Sequence, residues 1–191
     1  QIILADDARR YVVPSAPGKR FEKDVKVTDM LYHCYEAAEK GEAFDRHLMA
    51  IKARYQEIID GLNLDLSLEE EFHIIEEQFK QGAGKEYAAS RGEYLNGIVI
   101  ANYLGYEFID AAQVIVFTED GLYDDEKTME KLTARLENVE KAVIPGFYGA
   151  MEDGRVKTFS RGGSDITGSI VAKAVRADLY ENWTDVSGFL L

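Results

Sequence analysis

The stretch Thr158-Phe159-Ser160-Arg161-Gly162-Gly163-Ser164-Asp165-Ile166-Thr167-Gly168-Ser169 decides the fold that the sequence predicts. Residues 155–159 lead into it with mixed apolar and polar side chains that are typical of a strand, and residues 166–177 carry small and apolar side chains at helical spacing. The pair Gly162-Gly163 allows a tight turn and a close approach of the backbone to a ligand. The stretch therefore predicts a strand, a glycine loop and the start of a helix.

The same loop carries the groups of an anion-binding site. Free N–H groups at the start of a helix attract anions, and Ser164 or Asp165 can cap such a helix. Arg161 has a planar guanidinium that suits a carboxylate or a phosphate. Gly-Gly and Ser-Asp are also common in ordinary turns, so these residues alone leave both interpretations open.

Alternating strand and helix patterns on either side predict an α/β fold with a mostly parallel sheet and helices on both faces. Glu152-Asp153-Gly154 predicts a hairpin turn. Residues 1–10 resemble the last turns of a helix, and residues 19–26 are expected to form an exposed, mobile excursion. The other helical patterns cover residues 28–41, 43–60, 67–80, 88–103 and 124–138, and the other strand-like runs cover residues 11–13, 107–109, 113–118, 141–144 and 179–182.

Bulk composition limits the possible partners and location. The 191 residues suffice for one sizeable core. The formal net charge of −13 disfavours nucleic acid or an acidic membrane as a partner, although local loops can still bind ATP. Cys34 is the single cysteine, which excludes an internal disulfide and fits a reducing compartment. Because no signal peptide or long apolar run is visible, we expect a cytoplasmic protein.

Four motifs occur in an order that resembles a known enzyme family. They are residues 12–18 (VVPSAPG), residues 89–93 (ASRGE), residues 143–149 (VIPGFYG) and residues 160–165 (SRGGSD), the last followed by Ala177-Asp178 and by residues 183–188 (WTDVSG). Together they resemble the catalytic domain of aspartate kinases, within the amino-acid kinase superfamily. The resemblance covers nearly the whole chain and is weakest over residues 43–80.

The resemblance implies a three-layer α/β/α sandwich that lacks its first strand in this chain. Residues 1–191 are then a single, partial catalytic domain without the regulatory domains of the family. The family's first strand carries a lysine that neutralises phosphate charge, and this sequence begins after it. We therefore expect this polypeptide alone to be inactive or nearly so. A homo-oligomer is expected for the full-length protein.

The implied reaction transfers the γ-phosphoryl group of ATP to the side-chain carboxylate of L-aspartate. It gives 4-phospho-L-aspartate, the first step toward lysine, threonine and methionine. A carboxylate is already ionised at neutral pH and needs no general base, so catalysis rests on positioning and charge neutralisation. Mg²⁺ is expected with ATP, bound mainly through the phosphates. The histidines His33, His47 and His73 have no common spacing and are read as structural or surface residues.

On the substrate side, the resemblance assigns Arg161 to a carboxylate of aspartate and Glu93 to its amino group. Thr28 matches a threonine near the substrate, and Gly162, Gly163 and Ser164 are expected to donate hydrogen bonds to substrate or phosphate. From the residues alone, a first-turn glutamate that stabilises its own helix dipole is the favoured interpretation of Glu93.

On the nucleotide side, Asp165 resembles an acidic residue that orients a phosphate-binding lysine, and with Arg161 it is the predicted catalytic pair. A plain N-cap is compatible with the same aspartate. Thr184 and Asp185 are expected to line the nucleotide pocket, and Ser15 and Gly146 are expected near the phosphates through their backbone.

Two other functions stay open at this level. The chain could be a kinase of the same superfamily that acts on another amino acid such as glutamate. It could also be a non-catalytic module that binds an amino acid or a nucleotide, or one that only makes oligomer contacts. The ASRGE and RGGSD motifs together favour aspartate, whereas the absent lysine favours the non-catalytic module.

Overall fold

The strands in the computed structural model, which describes residues 2–160 and 162–184, form two three-stranded sheets. They are β1 (Tyr11–Val12), β2 (Glu107–Phe108), β3 (Val116–Phe117), β4 (Ala142–Val143), β5 (Tyr148–Met151) and β6 (Val156–Thr158). One sheet has the order β1-β4-β2 and is parallel throughout. The other has the order β3-β5-β6, in which β3 and β5 are parallel and β5 and β6 form an antiparallel hairpin. The predicted α/β class with mostly parallel pairing is confirmed.

Helices account for about half of the described chain. They are a 3₁₀ turn (Ile3–Ala5), α1 (Val27–Glu39), α2 (Asp45–Gly61), α3 (Glu69–Lys80), α4 (Lys85–Leu104), α5 (Ala111–Val114), α6 (Asp125–Leu136) and α7 (Gly163–Ala174). The apolar periodicity predicted each of the longer helices to within a few residues. No helix within residues 2–160 and 162–184 is long and apolar enough to cross a membrane.

Three local predictions fail for physical reasons. The predicted strand at 113–118 begins with α5, because the side chain of Asp110 accepts a hydrogen bond from Ala112 N at 3.0 Å and so starts a helical turn. No strand forms at 179–182, where Tyr180 and Asn182 bond to Asp165 at the start of α7. The first residues hold one 3₁₀ turn in place of α-helix. The hairpin turn at 152–154 is confirmed by the β5–β6 pair.

Helix α4 forms the wall shared by two hydrophobic cores. One core lies among α1, α2, α3 and α4, and the other lies among the strands, α6 and α7. Tyr94 of α4 packs against both cores. Residues 88–93 are buried without interruption, so this stretch of the helix has no solvent face. A helix buried on all sides needs small residues where its neighbours come close.

The glycines of α4 provide those close approaches. A Cβ atom on Gly92 would lie 2.9 Å from the Cβ of Ala16, in the loop after β1. One on Gly97 would lie 2.7 Å from Cγ of Pro145 and 2.9 Å from Cε2 of Phe108. Both ring atoms belong to rigid groups, so the loop that follows β4 can lie against the helix only because residue 97 has no side chain.

We expect Gly97→Ala to destabilise the protein by about 1–2 kcal/mol, because overpacking outweighs the gain of roughly 1 kcal/mol in helix propensity. Gly61→Ala adds the same methyl group to α2, where nothing lies within 4 Å, and is expected to be neutral or stabilising. Urea unfolding measures both. A Gly97→Ala protein as stable as Gly61→Ala would contradict this packing.

Candidate functional site

The loops that follow β1 and β4 meet the start of α7 at one edge of the parallel sheet. Gly146 N donates a hydrogen bond to Pro14 O at 3.0 Å, which joins the two loops. A Cβ on Gly146 would lie 2.6 Å from Ser164 Oγ, so the missing side chain lets the first turn of α7 approach. Ligands of open α/β sheets bind at this kind of edge, beyond the carboxyl ends of parallel strands.

Phe147 holds a left-handed backbone conformation between these loops, with φ 79°. Its N–H donates to Thr167 Oγ1 at 3.1 Å and its carbonyl accepts from Phe159 N at 2.9 Å. A non-glycine residue in this region is strained by about 1 kcal/mol or more, and persists only where neighbours fix it. Here α7 and the end of β6 fix the backbone of the β4–β5 loop from both sides.

The predicted strand and helix are confirmed at Val156–Thr158 and Gly163–Ala174, but the helix cap differs. The N-cap of α7 is Gly162, with φ 57° and no side-chain capping bond, so the prediction that Ser164 or Asp165 caps the helix is wrong. Arg161 and Asp185 lie outside the described residues. The start of α7 still presents N–H groups and its positive dipole end to this edge of the sheet.

Asp165 faces the segment that follows α7. Its Oδ1 accepts a hydrogen bond from Asn182 Nδ2 at 3.0 Å, and its backbone carbonyl accepts one from Tyr180 OH at 3.4 Å. Thr184 is exposed and follows Asn182 by two residues. Asn182 thus joins the segment that leads to Thr184 to Asp165, and Gly146 lies against Ser164, the residue before Asp165.

Glu93 is a buried carboxylate in the interior of α4. The helix begins at Lys85, so the interpretation of Glu93 as a first-turn residue is wrong. The residue is 7% exposed, and Oε2 has no hydrogen-bond partner within the described part of the chain. Burial raises the pKa of Glu93 to about 7, although the N–H groups of Glu93 and Ala16 and the charge of Arg91 oppose the rise.

The first turn of α1 lies beside Glu93. Thr28 is the second residue of α1 and is partly buried. Tyr32, one helical turn later, has a raised pKa, first because it is buried and then because of the charge of Glu93. Val27 packs against Gly92, the neighbour of Glu93. Val27 and Tyr32 of α1 therefore lie near the Glu93 turn of α4, and the substrate contact assigned to Thr28 stays a prediction.

Two polar groups of the site escaped the sequence analysis. Asn96 Nδ2 donates to Ser15 O at 2.6 Å and ties the loop after β1 to α4. Its spacing of three residues from Glu93 places both on one helix face, which could have identified it. The N–H of Ala16, which donates to the Glu93 carboxylate, has no signal in the sequence. The Gly146 N–H is bonded to Pro14 O, and the predicted position of Ser15 and Gly146 near the phosphates stays a prediction.

Arg91 is not available to a substrate despite its position next to the site. It is 6% exposed, and its guanidinium lies 4.6 Å, 4.3 Å and 5.4 Å from the ring centres of Tyr87, Tyr94 and Tyr148. Its Nε donates to Ser90 Oγ at 3.0 Å. This cation stabilises the packing of α4 by cation–π contacts.

The geometry suits a small molecule with one positive and at least one negative group. Glu93 needs a cationic partner, and the start of α7 favours an anion. Within residues 2–160 and 162–184, no group of three or more His, Cys, Asp or Glu side chains could hold a metal ion. The three histidines are exposed on α1, α2 and α3, where the sequence placed them.

Comparison with known proteins gives one consistent result. The sequence profile of the amino acid kinase family matches residues 4–190. Aspartokinase 3 of Bacillus subtilis (strain 168) is 37% identical over 199 residues, an alignment that covers 97% of this chain and 44% of that protein.

Solved structures are similar over the same extent. The crystal structure of aspartate kinase from Clostridium acetobutylicum matches with a TM-score of 0.95 and 53% identity, over 99% of this chain and 44% of that one. That of Escherichia coli aspartokinase III in complex with lysine and aspartate matches with a TM-score of 0.70 and 25% identity, over 98% and 45% of the two chains. This chain spans less than half the length of these relatives.

The raised pKa of Glu93 predicts a specific pH dependence of stability. The pKa is about 7 in the folded protein against an ordinary value of 4.5. The favourable contribution of Glu93 protonation to the free energy of unfolding is therefore complete below pH 4.5 and is lost as the pH rises through 7. Glu93→Gln removes this loss. The difference in free energy of unfolding, Glu93→Gln minus wild type, should rise by on the order of 3 kcal/mol between pH 4 and pH 8.

Urea unfolding across this pH range measures the difference. Glu130→Gln, an exposed glutamate in α6, is the matched control and should follow wild type. Parallel pH profiles for wild type and Glu93→Gln would show that Glu93 ionises normally.

Proposed function

This chain belongs to the amino acid kinase family, and we propose that it carries catalytic residues of an aspartate kinase. The reaction is transfer of the γ-phosphoryl group of ATP to the side-chain carboxylate of L-aspartate, with 4-phospho-L-aspartate and ADP as products. Residues 1–191 would then be part of one catalytic domain. The names of the relatives from Bacillus subtilis and Clostridium acetobutylicum support aspartate over glutamate as the substrate.

The buried carboxylate oxygen Oε2 of Glu93, which has no hydrogen-bond partner among the described residues, is the observation that carries this proposal. Leaving a buried carboxylate oxygen unpaired is unfavourable, and burial raises the pKa of Glu93 to about 7. The ammonium group of an amino acid supplies the missing partner. An ion pair there would lower the pKa of Glu93 and convert an unfavourable burial into a binding interaction.

The acidic groups of aspartate fit the opposite side of the site. The glycine loop and first turn of α7, at Gly162, Gly163 and Ser164, offer N–H groups and the positive end of the helix. Arg161, in the same loop, is proposed to hold one carboxylate as a bidentate partner. Thr28 is proposed to contact the substrate from α1. With the amino group fixed at Glu93, these contacts orient the side-chain carboxylate toward the nucleotide.

The chemical step then needs positioning more than acid–base catalysis. An oxygen of the ionised side-chain carboxylate forms a bond to the γ-phosphorus while the bond from that phosphorus to the bridging oxygen breaks, and ADP leaves. Asp165, Thr184 and Asp185 are proposed on the nucleotide side, with the backbone of Ser15 and Gly146 near the phosphates. Mg²⁺ would neutralise phosphate charge when bound with ATP, held mainly through the phosphates.

This activity would place the protein in amino-acid biosynthesis, at the step toward lysine, threonine and methionine. The cytoplasmic location and the homo-oligomeric state expected from the sequence stay predictions.

Binding of L-aspartate should be linked to proton release. At pH 6.5 much of Glu93 is protonated, whereas the ion pair requires its carboxylate, so binding releases up to one proton. Calorimetric titration in the presence of Mg²⁺ and a non-hydrolysable ATP analogue should give a heat that varies with the ionisation enthalpy of the buffer. The variation should disappear at pH 8.5.

Glu93→Gln should weaken aspartate binding at least tenfold, about 1.4 kcal/mol, and remove the buffer dependence at pH 6.5. L-glutamate serves as the comparator, and Glu130→Gln serves as the control variant. Turnover is checked by trapping the acyl phosphate with hydroxylamine. A folded protein that binds neither amino acid, or that prefers glutamate, would overturn the proposed substrate.

A further inference from the structure

Two neighbouring residues in the middle of α2, Arg54 and Tyr55, contact the backbone of two segments that lie next to Glu93: the turn of α4 that carries it and the loop after β1. Tyr55 OH donates a hydrogen bond to Gly92 O at 2.7 Å, and Arg54 Nη2 donates one to Gly18 O at 3.0 Å. Tyr55 is fully buried and Arg54 is 8% exposed. Neither has a part in the proposed chemistry, and no sequence motif identified them.

Tyr55 fixes the position of α4 at the residue before Glu93. Its ring packs edge-on against Phe72 of α3, with ring centres 6.2 Å apart, so the hydroxyl is held by a rigid core. The acceptor is a carbonyl inside α4, at the glycine against which Ala16 packs. The bond therefore sets the spacing between α2 and the turn of α4 that carries Glu93.

Arg54 fixes the position of the loop that follows β1. Its acceptor, Gly18 O, lies two residues after Ala16, whose N–H donates to the Glu93 carboxylate. Arg54 Nη2 also lies 3.7 Å from Asp24 Oδ2, while its Nε has no hydrogen-bond partner in the part of the chain that the structure describes. A core position needs no arginine, and a buried cation with an unpaired N–H is unfavourable for stability.

A surface ion cluster extends the attachment of this loop to α2. Arg20 donates to both carboxylate oxygens of Asp24, at 2.8 Å and 2.9 Å, and to Glu57 Oε2 at 2.7 Å. Glu57 lies one helical turn after Arg54 on α2. Residues 18–26 are therefore held against α2 from the exposed side as well, although they are mostly exposed, as predicted.

We propose that Arg54 and Tyr55 are positioning residues, which hold the loop at 16–18 and the Glu93 turn of α4 at the spacing at which Glu93 receives the amino group of the substrate. The role of the substrate in this inference rests on the proposed function. The positioning of Glu93 by these two residues does not rest on the proposed function, because it follows from contacts within the free protein.

The test uses Tyr55→Phe and Arg54→Met, which each remove one of the two hydrogen bonds and keep most of the side-chain volume. Tyr106→Phe and Arg46→Met are the matched controls. Tyr106 OH also donates to a backbone carbonyl, that of Arg9, at 3.1 Å, and Arg46 is an exposed arginine of α2. Because the two variants remove different hydrogen bonds, the remaining variant still decides the test if one fails to fold.

The first readout needs no substrate. Carboxyl carbon NMR, with the Glu93 signal assigned from its loss in Glu93→Gln, measures the titration midpoint of Glu93. Within the part of the chain that the structure describes, Tyr32 on α1, Tyr55 on α2 and Arg91 on α4 interact electrostatically with Glu93. Loss of either hydrogen bond loosens the packing around Glu93 and admits water. The titration midpoint of Glu93 should therefore fall by at least about half a pH unit in both variants and stay unchanged in both controls.

The second readout is the dissociation constant, taken in place of KM because it needs no turnover. Calorimetric titration with Mg²⁺ and a non-hydrolysable ATP analogue should show the constant for L-aspartate rising about fivefold or more in both variants, while that for the analogue stays within about twofold. Loss of thermal stability with an unchanged Glu93 midpoint would show that the two residues are merely structural and would overturn the inference. If wild type binds no aspartate, the proposed function fails, and the NMR midpoint still decides whether Arg54 and Tyr55 hold Glu93.

Discussion

The close contact between α4 and the loops after β1 and β4 is the constraint on which the site depends. It requires a helix without side chains at Gly92 and Gly97, because Ala16 and Pro145 occupy the space that a Cβ would need. The same contact buries the helix between two cores. As a result Glu93, one residue after Gly92, lies inside the protein at the edge of the sheet where ligands of such folds bind.

Burial then determines the chemistry of Glu93. A carboxylate at this depth is destabilised unless a positive group reaches it, and within the described residues one of its oxygens has no partner. Across the same edge of the sheet, α7 begins with a left-handed glycine and presents the positive end of its dipole. Packing thus produces opposite electrostatic preferences at Glu93 and at the start of α7, which suits the ammonium and carboxylate groups of an amino acid.

The sequence predicted the parts of this arrangement that depend on local pattern. Apolar periodicity located the long helices, and the glycine loop at 162–163 located the start of α7, because these signals lie within short stretches. The contacts that combine them were not predictable, since Tyr55 and Gly92 are far apart in the chain. Glu93 illustrates the limit. The sequence predicted a first-turn position, and only the observed start of α4 at Lys85 shows that Glu93 lies in the interior of the helix. The strand predicted at 179–182 failed because its side chains bond to Asp165.

A crystal structure of the protein with L-aspartate, Mg²⁺ and a non-hydrolysable ATP analogue tests the central claim most directly. We expect the amino nitrogen of aspartate within hydrogen-bond distance of the Glu93 carboxylate, about 2.7–3.2 Å, with the substrate carboxylates toward the start of α7. An aspartate whose amino group contacts other residues, with Glu93 still unpaired and buried, would contradict the account.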